Sequence, residues 1–427
     1  MYFSAGRRRD SLVTCYCYSS EAGEMQSAMR GKRVVFFSTP AYGHLQAVYP
    51  VLARLVRAGV RVDWYCTEAY RELVTATGAH FHSYCVDFSR YPLDRLTADF
   101  FSLYRGLLAL NRRCYLRYRR EIRENPPDLL LYDSMCSFGK NFAKQFGLPS
   151  VCLCTTLAYN LPVLLGTNLL LPSLKLIGQH LPQFLKLYRR EQHFRRREGL
   201  PRCHLLDLFV NAGDKTLVFT PRALQPFVRS FPRSFVFVGT TIRDRCGKGA
   251  AYEPCDIYLS LGSIFAARAS ELERLLETPL FRGKRVIVSA GAAAEDLQKR
   301  LGRARLTFMR RTEQLSLLGK TRLFVNHGGL NSVYESLYFG IFQLCVPQQE
   351  EQKLTALVAE RKKFGLYVRD FSGLTAEKVE KQRRACRPQI QKYRRILRAA
   401  DGTTQACREI SKLLISTGYP DRKAVYL

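Results

Sequence analysis

The apolar run "TRLFVN" hands over to "HGGLNSVYES", His327 to Ser336, with a histidine and two glycines at the junction. A helix that starts just after Gly328 and Gly329 presents unpaired backbone N–H groups and the positive end of its dipole. With no side chains in the way, an anion, above all a phosphate, comes close to those amides. A second kind of chemistry is written elsewhere in the chain. His44, in "AYGH", changes charge near neutral pH and suits proton transfer. Asp133, ending "LLLYD", is the residue type that orients an imidazole and stabilises its protonated form.

These residues stand at the ends of apolar runs, and the runs have a rhythm. Arg33 to Ser38 is a short strand pattern, followed by the helical spacing of "LQAVYPVLARLVRAG" and a second strand, "VRVDWYCT". The pattern continues through "PPDLLLYD", helix "SFGKNFAKQFG" and strand "LPSVCLCTT", continuously apolar as in buried parallel sheets. Leu217 to Gly239 reads as the last strand region of this half. A stretch rich in glycine and charge follows, and then the rhythm restarts at "DIYLSLGS" and runs to "FQLCVP". The expected fold class is α/β, two doubly wound parallel-sheet halves in tandem. Residues 1–28 read as a disordered extension or a start misplaced ahead of Met25 or Met29, 29–239 as the first domain, 240–255 as a linker and 256–427 as the second domain, with the last helix returning to the first. In such sheets ligands lie outside the carboxyl ends of the strands. The turns at Tyr42 to His44, Asp133, Gly262 to Ser263 and His327 to Gly329 are therefore expected to face one cleft.

Bulk properties agree with a large two-domain protein. The 427 residues exceed what one core usually supports, and 47% hydrophobic composition excludes a disordered chain. Sixty-seven Lys and Arg against thirty-six Asp and Glu give a net charge of +31, which favours phosphate-bearing ligands, anionic lipid or nucleic acid. No zinc-finger, basic-zipper or RRM pattern supports specific nucleic-acid binding. The fourteen cysteines include no C-x-x-C pair and no Cys/His cluster at zinc spacing, so they read as reduced core residues of a cytoplasmic protein. No secretory signal pattern is evident.

The ordered signatures "STPAYGHLQAVYPVLARLVRAG", "YLSLGS" and "HGGLNSVYESLYFG" followed by "VPQQEEQ" carry a family resemblance. The chain resembles nucleotide-sugar-dependent glycosyltransferases of family 1, with the GT-B fold of two Rossmann-like domains around a cleft, most closely the bacterial macrolide glycosyltransferase branch. The resemblance implies that His327, Gly328, Gly329, Asn331 and Ser332 hold the donor diphosphate and that Glu335 accepts ribose hydroxyls. Gly262 and Ser263 are expected across the cleft, also reaching the diphosphate. Gln314 matches the glutamine at the base. The aromatic residue and the proline usual near it are replaced by Arg311 and Glu313; an arginine plane stacks on a base too. Glu351 and Gln352 match the pair that grips the donor sugar, with glutamate where aspartate is frequent. His44 would deprotonate an acceptor hydroxyl, oriented by Asp133, and the hydroxyl would displace the diphosphate with inversion at the sugar carbon. The implied co-substrate is UDP-glucose, with no further cofactor and no metal, since no D-x-D follows a strand.

The acceptor is expected to be a hydrophobic small molecule or lipid, walled by the apolar segment Leu157 to Leu187. Its prolines, asparagines and Lys175 argue against a membrane-spanning helix. The segments "KLYRREQHFRRRE" and "YRGLLALNRRCYLRYRREIR" mix basic residues with aromatics and leucines. They suit either peripheral contact with an anionic membrane at its inner face or a plain solvated surface. Rival readings are a catalytically silent sugar-nucleotide binder, a polyanion binder, and an epimerase on the same fold.

Overall fold

The computed structural model describes residues 27–85, 100–166, 180–202, 211–247, 250–262, 269–371 and 373–416. Ser263, residues 1–26 of the expected extension 1–28 and much of the apolar acceptor segment, 167–179, lie outside the described residues, while residues 27–29 are helical.

Two parallel sheets organise the chain. The first holds β1 (Arg33–Phe37), β2 (Arg61–Cys66), β3 (His80–Ser83), β4 (Leu129–Asp133), β5 (Ser150–Cys154), β6 (Lys215–Val218) and β7 (Phe235–Phe237), in the order β3-β2-β1-β4-β5-β6-β7. The second holds β8 (Cys255–Ser260), β9 (Val286–Ser289), β10 (Leu306–Met309), β11 (Thr321–Asn326), β12 (Phe342–Cys345) and β13 (Gly365–Tyr367), in the order β10-β9-β8-β11-β12-β13. The region 217–239 therefore contributes the end of one strand and a whole second one, separated by a proline-containing loop. Parallel strands need crossovers that cover both faces, which is why the strands read as continuous apolar runs. In β1 the alternation sends Val34 and Phe36 to one core and Val35 and Phe37 to the other.

The helices that matter for the site are α1 (Tyr42–Arg57), α2 (Phe100–Glu124), α3 (Ser137–Phe146), α4 (Leu181–Arg197), α5 (Leu330–Phe339), α6 (Glu350–Arg361), α7 (Ala376–Ala399) and α8 (Gly402–Ser416). Helix α8 lies on α1, and its Ala406, Cys407, Ile410 and Leu414 join the core under Val34 and Phe36. Leu157, Val163, Leu224 and Ile242 from the first half join the core of the second. The 240–255 segment is not plain coil. It contains a one-turn helix, Ile242–Arg245, and Thr241 Oγ1 donates to the Ala47 carbonyl at 2.9 Å.

Candidate active site

Strand order decides where the chemistry sits. In the first sheet the chain reverses direction between β1 and β4, which pair from Val34–Leu129 to Phe37–Tyr132. In the second it reverses between β8 and β11, which pair up to Ser260–Asn326. Helices depart to opposite faces at such points and leave a crevice at the strand ends. His44 and Asp133 flank the first crevice; Gly262 and His327 flank the second.

In the first crevice, His44 stands in the opening turn of α1, and its Nδ1 lies 2.7 Å from Asp133 Oδ2. Asp133 is buried at the end of β4. Its other oxygen accepts from Thr39 Oγ1 at 2.7 Å and from the Met135 amide at 2.9 Å, so the carboxylate is fixed from three sides. Thr155, just past β5, brings its hydroxyl to 2.9 Å from the same His44 nitrogen. With Nδ1 held by these neighbours, Nε2 is the nitrogen left to take a proton. Burial works against the charged ring, but the Asp133 carboxylate, helped by Glu351, outweighs it and raises the His44 pKa from 6.5 to about 9. Thr39 and Thr155 were not singled out from sequence; both are ordinary residues at strand ends, and only the sheet order puts them beside His44.

The second crevice is built on glycine. Gly328 has φ of +79°, and a β-carbon there would lie 2.8 Å from the Gln352 carbonyl oxygen. A β-carbon on Gly329, the N-cap of α5, would lie 2.4 Å from His327 Nε2. The chain thus packs directly over the imidazole, and the first-turn amides of α5 have no intrahelical acceptor. Burial holds His327 below the ordinary histidine pKa, with the Ser260 backbone pulling the other way; its Nδ1 is buried without a hydrogen-bond partner. Gly262, at φ +85°, is not across the cleft from this turn. Its α-carbon faces the His327 ring, where a β-carbon would meet Cε1 at 3.4 Å, because β8 and β11 are adjacent in one sheet.

The two crevices face each other. Asn331 Nδ2, on α5, donates to the Gly43 carbonyl at 2.5 Å. Glu351, in the first turn of α6, lies near enough to His44 and Asp133 for their charges to act on it. Burial and the Asp133 carboxylate raise its pKa, while His44 opposes them. Gln352 turns its Oε1 inward to accept from the Gln348 amide at 2.9 Å, holding the loop that precedes α6. Arg311 is exposed at the rim and acts electrostatically on Tyr70 of the first half.

Glu335 is the least free of the sequence-derived residues. One carboxylate oxygen accepts from Arg245 Nη1 at 2.7 Å and the other from Gln314 Nε2 at 2.6 Å. Gln314 also reaches Ser332 Oγ at 3.2 Å and accepts from Tyr258 OH at 3.2 Å. Gln314, Ser332 and Glu335 therefore form one network, clamped by an arginine from the segment read as a linker. Arg245 carried no motif that would have found it.

The fold matches the crystal structure of the glycotransferase of kitacinnamycin with a TM-score of 0.76, over 89% of this chain and 98% of that one, at 23% identity. The NDP-glycosyltransferase YjiC of Bacillus licheniformis is 26% identical over 408 residues, 91% of this chain and all of that protein. Oleandomycin glycosyltransferase of Streptomyces antibioticus is 23% identical over 75% of each chain. Residues 257–384 match the UDP-glucoronosyl and UDP-glucosyl transferase family model. The chain is a glycosyltransferase of the GT-B fold. The matched region of this glycosyltransferase runs from β8 into α7 and so contains the whole glycine-built crevice. Among the described residues no group of three or more His, Cys, Asp or Glu is placed to hold a metal ion, and no helix is long and apolar enough to cross a membrane.

Proposed function

We propose that this glycosyltransferase moves a hexose, glucose from UDP-glucose, onto a hydroxyl of a hydrophobic small-molecule or lipid acceptor, with inversion. The observation that carries the reading is the His44–Asp133 pair facing Glu351 and the α5 N-terminus across the crevice. His44 Nε2 takes the acceptor proton; Asp133 stabilises the imidazolium. The hydroxyl oxygen attacks the anomeric carbon as the bond to the diphosphate breaks, and UDP leaves with that bond's electrons. The α5 amides with His327, Asn331 and Ser332 receive the leaving diphosphate; Gly262 lies beside His327, and Ser263 is assigned to the same diphosphate by the family resemblance alone. Glu351 and Gln352 hold sugar hydroxyls; Glu335, Gln314 and Arg311 hold ribose and base.

A hydrophobic acceptor is supported by the described leucines of the apolar segment Leu157 to Leu187. Leu161, Leu165, Leu181 and Leu185 are all exposed, as is Tyr42, two residues from His44. The curated relative that acts on oleandomycin, by its name, is compatible with such an acceptor. The charge and the basic helices support a place in the cytoplasm at an anionic membrane face.

A thermal-shift screen of nucleotide sugars followed by transfer assays tests the reading. UDP-glucose is expected to raise the melting temperature, since it binds only the folded state. His44→Ala should keep that shift while losing about 10²- to 10⁴-fold in transfer. Near wild-type transfer by His44→Ala would overturn the assigned base. Helix amides in place of a cation also predict full activity in EDTA; abolition by EDTA would argue for a metal.

A further inference from the structure

We propose that the cavity between α2 and α4 is a binding site for a phosphomonoester or diphosphate anion, separate from the donor crevice. It is about 410 Å³ and is lined by Arg112, Arg189, Arg190, His193, Phe194 and Arg197. The inference rests on this charge arrangement and not on the transfer reaction.

Apart from Arg112, from α2, the lining is one face of α4. Positions 189, 193 and 197 repeat at four-residue spacing, and 190 and 194 run beside them, so α4 turns its cations to one side. A solvated basic helix normally places carboxylates at those spacings. Here α4 has six Lys and Arg against the single carboxylate of Glu191, and that group is already used. Glu191 is buried, accepting from Arg112 Nε at 2.8 Å and pairing with Arg195 at 3.6 Å. The next carboxylate, Glu198, is shared by Arg119 and Arg197. Helix α2 holds seven arginines against two glutamates, and its Arg112 lines the cavity.

The helix behind the cavity is anchored, and so is one lining residue, Arg112. Arg195 is buried, bonded to the Pro201 carbonyl at 2.7 Å and Asn141 Oδ1 at 3.1 Å. With its Nε on Glu191 and its guanidinium 5.6 Å from the Phe194 ring centre, Arg112 is held in place, yet its Nη2 is buried without a partner. Several guanidinium groups around one cavity fit the oxygens of a dianion, whose charge they match and whose geometry accepts paired N–H groups. Such a group comes from a soluble phosphate compound or from an anionic lipid headgroup.

The intact protein, with UDP saturating the donor crevice, is titrated with inorganic pyrophosphate at low ionic strength in a calorimeter. One saturable site is expected, weakened at least about tenfold in Arg189→Gln/Arg190→Gln/His193→Gln, whose three side chains are exposed. Arg282→Gln/Arg303→Gln removes the same charge elsewhere and should bind as wild type. Absence of saturable binding, or equal weakening in both variants, overturns the site. Sedimentation with phosphatidylcholine vesicles, with and without phosphatidic acid, then identifies the source. Co-sedimentation that needs phosphatidic acid and is lost in the pocket variant assigns a lipid headgroup; pyrophosphate binding without it assigns a soluble compound.

Discussion

At the scale of single residues, the His44 imidazole is tied to a carboxylate that makes it hard to deprotonate. Its pKa near 9 means that the neutral form needed for proton abstraction is the minor one at pH 7. Transfer efficiency, kcat/KM, should therefore climb about tenfold per pH unit and level off near pH 9. Asp133→Asn removes the group that raises the pKa but leaves the burial that lowers it. The rise should move to below about pH 6.5 while the plateau falls; an unmoved profile would show that the pair does not set the rate. The same pair has a stability sign. Because the folded pKa exceeds the ordinary 6.5, its contribution is complete below that pH and fades as pH rises through about 9. Arg245 and Glu335 make the complementary residue-level case, a buried ion pair whose side chains are 9% and 5% exposed. Arg245→Met leaves a buried carboxylate with only Gln314, and unfolding free energy measured in urea should fall by about 3–5 kcal/mol. A loss below 1 kcal/mol would mean that water or another cation replaces the guanidinium.

At the scale of elements, the turns were legible and their partners were not. A strand that ends in two glycines and a helix can be read locally, because positive φ and open amides are properties of the turn itself. That Gly262 abuts His327, that Thr155 reaches His44, and that the segment after β7 folds an arginine onto Glu335 depend on strand order. Nothing in the local sequence fixes that order. The "QQEEQ" stretch shows the same limit from the other side. It opens α6, so Glu351 and Gln352 project from a helix whose position is set by the Gln352 carbonyl lying under Gly328. This contact gives an element-level prediction. Gly328→Ala meets both a left-handed φ and an oxygen at 2.8 Å, so the β11–α5 turn and the start of α6 must part. UDP affinity should drop at least about tenfold, read by calorimetry, with the far-ultraviolet spectrum unchanged. Wild-type UDP affinity would show that the anion is not held at this turn.

At the scale of the whole molecule, chain order and packing disagree about where the first half ends. Helix α8 is the last described element, yet Ala406, Cys407, Ile410 and Leu414 complete the core formed by β1, β2 and α1. Its entry is fixed by glycine. The Gly402 amide donates to the Thr240 carbonyl at 3.1 Å, and a β-carbon on Gly402 would lie 2.6 Å from the Gly239 carbonyl oxygen. Arg54 Nη1 bonds Thr404 Oγ1 at 2.6 Å, and Lys215 pairs with Glu409. Away from α8 the two halves meet through Leu157, Val163 and Leu224, which join the core of the second half, and through polar contacts such as Lys362 Nζ on the Ala223 carbonyl at 2.9 Å and Asn331 on Gly43. Helix α8 is thus a strap that ties the last described segment of the chain to the first half. Ile410 is fully buried under that strap. Ile410→Ala is expected to cost about 2–5 kcal/mol of stability, because it removes buried methyl groups and leaves a void between α8 and α1. The loss falls on the first half, while the donor crevice lies in the second. UDP should therefore bind the variant as tightly as wild type although the protein melts earlier. An unchanged melting temperature would place α8 outside the first core; a UDP affinity that falls with stability would mean that the halves do not respond independently.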